Sequence, residues 1–464
     1  MNKALALVIV IVLIFAFYLW KRKFFTNVFK IEDLRTKLLI TIGFVAIYRF
    51  GTNIILPGID SSALARLHEQ AGDNGLLSLL DMFSGGAFSN ASIFALGIMP
   101  YISASIVVQL LAMVVPYFQK MQREGESGRR KINQITRYLT LIVLAIQAPA
   151  YLINLRYQAA GAINPGIPQI AFFVTSTIIL AAGSMFILWL GERITDKGIG
   201  NGISFIILIG IIARFPTAVV QECTSRFAGA QGGGMVMFLF ELIALFFVFM
   251  AAILLTQGVR KIPVQYAKQI SGGKQFGGAR QYIPLKVNAA NVMPIIFAQA
   301  IMFIPLSFVR IDKLENAGNF VRLLTNTDSW LYNLIFAILI IVFTIFYTAI
   351  TVNPTQMAED LKRNNGFIPG VKPGKATADY IDTVMSRITW PGALFLVVIA
   401  ILPPFASMFG IKREFAQFFG GTSLLIMVGV VLDTLQQIES HLLMRHYDGL
   451  LKGGRIKGRS GAAY

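Results

Sequence analysis

Three polar side chains, Ser103, Ser105 and Gln109, interrupt an otherwise apolar stretch of sequence, GIMPYISASIVVQLL (97–111). Hydroxyl and amide groups donate and accept hydrogen bonds, which lipid cannot supply. Groups of this kind in an apolar helix either join it to neighbouring helices or border a water-filled path or a seam that opens. The residues alone leave both interpretations open.

The sequence lacks the side-chain patterns that catalysis would need. It contains no GxSxG or HExxH motif, no phosphate-binding loop and no paired Asp within an apolar segment. The three histidines, His68, His441 and His446, are scattered, and Cys223 is the single cysteine. We therefore expect no enzymatic activity, no cofactor, no metal site and no intrachain disulfide.

The composition indicates an integral membrane protein. The chain has 464 residues, of which 55% are hydrophobic and 14% charged, whereas soluble domains have roughly 25% charged residues. Long apolar runs without alternation favour helices over a β-barrel. The net charge of +18 has two possible explanations, which do not exclude each other. Lys and Arg are retained in cytoplasmic loops, and a basic surface docks acidic partners such as RNA.

Ten apolar segments have about the 20 residues that a helix needs to cross a bilayer. They lie at 37–56, 91–115, 138–157, 168–190, 201–220, 235–257, 288–309, 329–352, 386–404 and 418–438. Basic residues concentrate in alternate loops, which places both ends of the bundle in the cytoplasm. A glycine-rich loop divides the spans five and five, and an odd number of spans in each part inverts the second part relative to the first.

The predicted fold is therefore an all-α membrane protein, a ten-span helical bundle of two inverted five-helix halves. The stretch Ala4–Trp20 is apolar but is followed, not preceded, by Lys21–Lys23, unlike a signal peptide. We expect it to form an extra N-terminal apolar helix. The predicted division is an N-terminal segment (1–29), a first half (30–220), a hinge loop (221–234), a second half (235–440) and a basic tail (441–464).

Several features near the spans carry further expectations. Residues 75–90 are amphipathic and too short to span, which is typical of a re-entrant segment that lines a cavity. Pro100 is expected to loosen the following helix. Arg49 either reaches outward or pairs inside the bundle. Glu241 and Asp433 lie near predicted span ends, where a carboxylate costs little.

Six long motifs resemble the SecY family of protein-translocation channel subunits. They are DMFSGGAFSNASIFALGIMPYISASIVVQLL (81–111), REGESGRRKINQITRY (123–138), LGERITDKGIGNGIS (190–204), IPLKVNAANVMPIIFA (283–298), NPTQMAEDLKRNNGFIPGVKPG (353–374) and FGGTSLLIMVGVVLD (419–433). The resemblance covers residues 30–450 and implies a protein-conducting channel between two five-helix halves. A secondary solute transporter with inverted repeats is the alternative function, but the sequence lacks the midplane carboxylates that such a transporter would use.

The resemblance also implies roles for individual residues. The waist of the pore would be a ring of Ile98, Ile102, Ile203, Ile207, Ile296 and Ile426. A narrow apolar ring excludes water and ions, although isoleucines in a membrane bundle usually only pack. The plug that closes the pore would include Leu76, Leu77, Leu79, Leu80, Met82, Phe83, Gly85 and Gly86, with the two glycines as pivots. A surface helix is the alternative for that segment.

A lateral gate would lie between the spans at 91–115 and 138–157 on one side and those at 288–309 and 329–352 on the other. The resemblance places Ser103, Ser105, Gln109 and Gln299 at this gate. Weak polar contacts suit a seam that must seal and open, since interhelical hydrogen bonds in membranes average about 0.6 kcal/mol.

Two basic loops, 258–287 and 353–385, would receive the ribosome or the SecA motor ATPase. Their candidate contacts are Arg260, Lys261, Lys268, Lys274, Lys362, Arg363 and Lys372. The family usually has Arg where Lys372 stands, and Lys lacks the bidentate fork. Topology alone could also explain these charges. Further implied partners are the SecE and SecG subunits, signal-sequence-bearing polypeptides and membrane lipid, in the bacterial inner membrane.

Overall fold

The computed structural model describes residues 31–60, 84–158, 168–227, 234–266, 269–271, 274–276, 280–290, 292–309 and 329–452. The structural statements that follow concern these residues. The predicted N-terminal helix, Ala4–Trp20, lies outside them and stays a prediction.

The described chain is mostly helical and divides into two compact units. Unit 1 extends to Thr224 and resumes at Val430, and unit 2 covers Ser225–Gly429. Both boundaries fall inside long helices, so each of these two helices contributes to both units. The division into two inverted five-helix halves stays a prediction.

Unit 1 is built from six helices and the last part of a seventh. The six are α1 (Glu32–Gly51), α2 (Met99–Val114), α3 (Pro116–Arg123), α4 (Glu126–Gln158), α5 (Gln169–Lys197) and α6 (Gly202–Phe227), whose last turn belongs to unit 2. Helix α4 packs against both α2 and α5, and α1 packs against α5. Ala148 and Leu152 of α4 and Leu180 of α5 are fully buried in one apolar core cluster.

Unit 2 combines helices with two small antiparallel sheets. Its helices are α7 (Gly234–Gln257), α8 (Met293–Val309), α9 (Trp330–Thr351), α10 (Pro354–Arg363), α11 (Lys375–Met408), α12 (Arg413–Ala416) and the start of α13 (Gly421–Lys452). Its strands are β1 (Val259–Tyr266), β2 (Gln269–Ser271), β3 (Lys274–Phe276), β4 (Arg280–Lys286) and β5 (Gly366–Phe367). Helix α9 packs against α8 and α11. The strands show that the all-α prediction is incomplete.

Among the described residues, seven helical segments are long and apolar enough to cross a membrane. An eighth is added if the bent pair Met99–Ala112 and Pro116–Gln122 counts as one span. The general prediction of a helical membrane protein is confirmed. The count of ten spans stays a prediction.

The loop predicted at 221–234 is shorter than expected. Helix α6 continues to Phe227 and α7 begins at Gly234, so residues 221–227 are helical. Within this stretch Glu222 and Arg226 are buried. Because these polar groups are satisfied inside the protein, the helix does not end where the apolar run ends.

A buried ion pair joins the end of α6 to α7. Arg226 Nη2 lies 2.6 Å from Glu241 Oε1, and the two side chains are 2% and 1% exposed. The same Nη2 donates to the carbonyl oxygen of Gly410 at 2.9 Å. The expectation that Glu241 sits at a helix end at little cost is wrong, because this carboxylate is fully buried and relies on its arginine partner.

We expect Glu241→Gln to destabilise the protein by about 3–5 kcal/mol, because it leaves the Arg226 guanidinium buried without its counter-charge. The measurement is the midpoint of thermal unfolding of the purified protein. Glu192→Gln is the matched control, since Glu192 pairs with Arg137 at 2.6 Å but both are partly exposed, and exposed pairs contribute about 0–1 kcal/mol. Equal midpoints for the two variants would contradict the prediction.

Candidate functional site

Residues 84–90, here called the anchored segment, are held from α1 by two side chains. The Tyr48 hydroxyl donates to the carbonyl oxygen of Ser84 at 3.2 Å. Next to it, Arg49 Nη1 donates to the carbonyl oxygen of Gly85 at 3.0 Å. The sequence left open whether Arg49 reaches outward or pairs inside the bundle. In the structure Arg49 finds its partner inside the protein.

Helices α4 and α6 hold the same segment from other directions. The Tyr151 hydroxyl of α4 donates to the carbonyl oxygen of Phe88 at 2.8 Å, and the two rings pack edge to face at 4.8 Å. Arg214 Nη2 of α6 donates to Ser89 Oγ at 2.9 Å. Side chains of three helices therefore converge on one short segment.

The two glycines of the anchored segment lie directly beside the two guanidinium groups. Gly85 and Gly86 have φ values of +65° and +94°, which favour glycine. A Cβ at Gly85 would lie 3.0 Å from Arg49 Nη1, and a Cβ at Gly86 would lie 3.3 Å from Arg214 Nε. Glycine thus permits both the backbone conformation and the close approach of the arginines.

The backbone that follows the anchored segment is pinned to residues after α1. The Leu56 amide donates to Ala91 O at 3.0 Å and the Ile93 amide donates to Ile54 O at 2.9 Å. Residues 91–98 form turns, and α2 begins only at Met99. The predicted span at 91–115 therefore starts too early.

Pro100 lies in the first turn of α2, not in the interior of the helix. The first turn has no intrahelical acceptor for its amides, so proline is accommodated there. The expectation that Pro100 loosens this helix is wrong.

The polar side chains of α2 make hydrogen bonds within their own helix. Ser103 Oγ donates to Met99 O at 3.1 Å, and Gln109 Nε2 donates to Ser105 Oγ at 3.2 Å. Gln109 Oε1 is buried and has no hydrogen-bond partner among the residues that the structure describes. Gln299 on α8 is buried as well.

The six isoleucines of the predicted ring lie at the starts of helices or close to them. Ile98, Ile207 and Ile426 are buried, and Ile102, Ile203 and Ile296 are half-buried. Four belong to unit 1, where Ile98 directly precedes α2 and the others lie on α2 and α6, and two belong to unit 2, on α8 and α13. Their membership of one ring stays a prediction.

The two predicted docking loops are joined in unit 2 by one sheet with the strand order β4-β1-β5. Strand β5 comes from the second loop, and pairs Gln265 with Phe367 and Tyr266 with Gly366. Ile262 and Val264 point inward, into a core with residues of α10 and α11. The loops therefore form one folded platform.

Five of the predicted docking residues are exposed on this platform. They are Arg260, Lys261, Lys362, Arg363 and Lys372. Lys268 lies outside the described residues, as does the side chain of Lys274. The predicted plug residues Leu76, Leu77, Leu79, Leu80, Met82 and Phe83 also lie outside the described part of the chain.

The sequence analysis missed Tyr48, Tyr151 and Arg214, and of these three residues Arg214 has the clearest signal in the sequence. It lies within the apolar run FIILIGIIARFPTAVV (205–220). An arginine inside a membrane span is costly, and its presence alone indicates a functional or structural partner. That signal was available in the sequence.

The architecture is that of protein-conducting channels in membranes. A solved structure of a protein-conducting channel is similar with a TM-score of 0.63 and 18% identity, covering 91% of this chain and 95% of that one. A structure of the SecY protein, solved to study how its plug domain stabilises the closed channel, has a TM-score of 0.61 at 19% identity and the same coverage. Sec61 in a canine ribosome-channel complex has a TM-score of 0.58 at 17% identity, covering 91% and 95%.

The chain belongs to the SecY family. The SecY family model matches residues 92–435. The protein translocase subunit SecY of Thermotoga maritima is 42% identical over 439 residues, covering 94% of this chain and 99% of that protein. The subunit of the same name from Haemophilus influenzae is 43% identical over 432 residues, covering 92% and 96%. The resemblance inferred from the six motifs is confirmed.

We expect Gly85→Ala to destabilise the anchored segment by about 1–3 kcal/mol, because a non-glycine residue at positive φ is strained and its Cβ would crowd Arg49. The measurement is the midpoint of thermal unfolding combined with hydrogen exchange of residues 84–90. Gly43→Ala is the control, since a Cβ there meets nothing within 4 Å. A Gly85→Ala protein as stable as the control would contradict this account of the turn.

Proposed function

We propose that this chain is the channel subunit of a protein translocase. It passes unfolded secretory polypeptides across the membrane and releases signal sequences or membrane spans sideways into lipid. The observation that carries the proposal is the match to a protein translocase subunit over 94% of the chain, supported by a fold shared with protein-conducting channels. The comparisons do not favour the solute-transporter alternative, and the role requires no enzymatic activity.

The pore is proposed to be a ten-span arrangement of two halves with the six isoleucines at its waist. A narrow ring of branched apolar side chains excludes water and ions, whereas an extended polypeptide can push flexible side chains aside. The plug would be residues 75–90, ending in the anchored segment. A role for a plug in the closed state is reported for the SecY protein of the similar structure.

A stalled secretory chain with a cysteine in its translocating segment should form disulfide crosslinks with Ile102→Cys and Ile296→Cys, because both positions would line the waist. The measurement is the crosslinked fraction after oxidation in membranes. Ile178→Cys is the control, since Ile178 is 62% exposed on α5 and is not part of the proposed ring. Crosslinking to Ile178→Cys alone, or equally to all three, would exclude the proposed pore.

The lateral gate is proposed to lie between α2 with α4 on one side and α8 with α9 on the other. Each of these pairs is packed together within its own unit. The buried and unbonded Gln109 Oε1 supports the proposal, since an unsatisfied acceptor weakens tight packing at rest. Gln299 would be the polar side chain on the opposite side.

Replacing Gln109 and Gln299 by leucine should change the export of substrates with weak signal sequences by about threefold, the factor that corresponds to one average membrane hydrogen bond. Apolar contacts in place of polar ones would alter how readily the gate opens. Export of matched strong-signal and weak-signal substrates is compared in the same cells. Thr175→Val is the control, because within the described part of the chain the Thr175 hydroxyl bonds only its own helix, at Ala171 O and Phe172 O. Unaltered export of weak-signal substrates would argue against the gate.

The platform of β4, β1 and β5 with α10 is proposed to dock the ribosome and the SecA motor. Its exposed cations suit phosphate groups, and the similar canine channel was solved in a complex with a ribosome. The proposed setting is a complex with SecE and SecG in the bacterial inner membrane. Lys372 supplies charge there without the bidentate fork of arginine.

A further inference from the structure

We propose that Thr41 and Gln437 are positioning residues that hold the turn between α5 and α6 and so fix the start of α6. This turn, residues 198–201, is here called the α5–α6 turn. The first part of the inference concerns the fold of unit 1, to which both residues and the turn belong. The second part, that the held turn places Ile203 at the waist of the pore, rests on the proposed function.

The α5–α6 turn lies in the motif LGERITDKGIGNGIS (190–204), of which the proposed pore uses only Ile203. The motif places three glycines at alternate positions, Gly198, Gly200 and Gly202. These glycines belong neither to the anchored segment nor to the docking platform, so the roles proposed for those two regions do not account for them.

Each of the three glycines meets a separate requirement. A Cβ at Gly198 would lie 2.5 Å from Thr41 Oγ1, and a Cβ at Gly202 would lie 2.0 Å from the carbonyl oxygen of Gly191. Gly200 has a φ of +81°, which favours glycine. Two of the glycines therefore permit close contacts with α1 and α5, and the third permits the backbone conformation of the turn.

Thr41 on α1 holds the turn from one side. Its Oγ1 donates to the carbonyl oxygen of Lys37 in its own helix at 2.9 Å and accepts the backbone amide of Ile199 at 3.3 Å. The Thr41 side chain is buried, and Ile199 and Leu34 of α1 are buried in one apolar cluster. The turn therefore makes both a polar and an apolar contact with α1.

Gln437 on α13 holds the turn from a second helix. Its Oε1 accepts the backbone amide of Gly200 at 2.8 Å. Ile438 and Leu442 of the same helix pack against the apolar cluster that contains Ile199. Two consecutive amides of the turn thus find side-chain acceptors on two different helices, which restrains the turn more firmly than either contact alone.

The start of α6 follows directly from the turn. Asn201 caps this helix, because its Oδ1 accepts the amide of Ile203 at 3.1 Å and the amide of Ser204 at 3.4 Å. The Gly202 amide donates to Thr195 Oγ1 of α5 at 2.9 Å. Only Gly202 separates the turn from Ile203, so a shift of the turn is passed on to that side chain.

Thr41→Val and Gln437→Leu each remove one of these two side-chain acceptors and keep a side chain of similar size. Both variants are made in the full-length protein, purified as its native complex, and hydrogen exchange of residues 198–201 is measured. The amide that loses its acceptor should exchange about fivefold faster, the factor that corresponds to one neutral hydrogen bond. Thr41→Ser and Gln437→Glu keep an acceptor, so their exchange should stay close to that of the parent.

Thr36→Val and Gln436→Leu are the matched controls. Thr36 Oγ1 donates to Glu32 O of its own helix at 2.8 Å, as Thr41 does to its own helix, but Thr36 is exposed. Gln436 is exposed beside Gln437 and is not one of the residues that hold the turn. If Thr41→Val fails to fold, Gln437→Leu carries the test, because Gln437 lies at the surface.

The second part is tested by disulfide crosslinking of a stalled secretory chain to Ile203→Cys in membranes. The crosslinked fraction is measured for Ile203→Cys alone and combined with Gln437→Leu, Gln437→Glu or Gln436→Leu. It should fall with Gln437→Leu and stay at the level of Ile203→Cys alone with the other two. Recovery with Gln437→Glu ties the loss to the missing acceptor and not to a general loss of stability.

The outcomes separate the two parts of the inference from each other and from the proposed function. Faster exchange with reduced crosslinking supports both parts. Exchange equal to that of the parent and the controls overturns the holding role of Thr41 and Gln437. Faster exchange with unchanged crosslinking overturns the positioning of Ile203, while the proposed pore stands. Failure of Ile203→Cys alone to crosslink overturns the second part and counts against the proposed pore.

Discussion

The carbonyl groups of the anchored segment must all find donors, because neither lipid nor apolar side chains can supply one. The segment forms turns, in which the carbonyl oxygens of residues 84, 86, 87 and 88 accept backbone amides. Tyr48, Arg49 and Tyr151 bond three carbonyl oxygens of the segment, and Arg214 bonds the hydroxyl of Ser89. Side chains of α1, α4 and α6 therefore converge on this segment, and α2 begins after it, at Met99.

The same constraint explains which parts of the fold could be predicted from sequence. Apolar runs located the cores of the long helices, because lipid and protein interiors both select apolar side chains. The runs did not locate helix ends. Helix α4 begins at Glu126 and α6 continues to Phe227, since a charged or polar helix is stable wherever water or buried partners satisfy it.

Contacts between residues that are far apart in the sequence could not be predicted from local sequence patterns. Pro100 was expected to loosen its helix because the helix was predicted to start earlier. The sequence analysis did not identify the pairing of Glu241 with Arg226, because the two residues lie on different helices. In VRKIPVQY the apolar residues Ile262 and Val264 occupy alternate positions, a pattern typical of a strand, and both lie in β1. The sequence analysis considered only the basic charge of this stretch. The family roles of the six isoleucines came from long motifs, since isoleucine spacing alone does not distinguish a pore from packing.

Strand β5 adds a final constraint, because it completes a sheet whose other strands lie about a hundred residues earlier in the chain. The backbone of each loop is therefore a structural component of the other. Insertions, deletions or transplants between related proteins would be tolerated only when both loops change together. Through this shared sheet the two loops form a single structural module, although they are far apart in sequence.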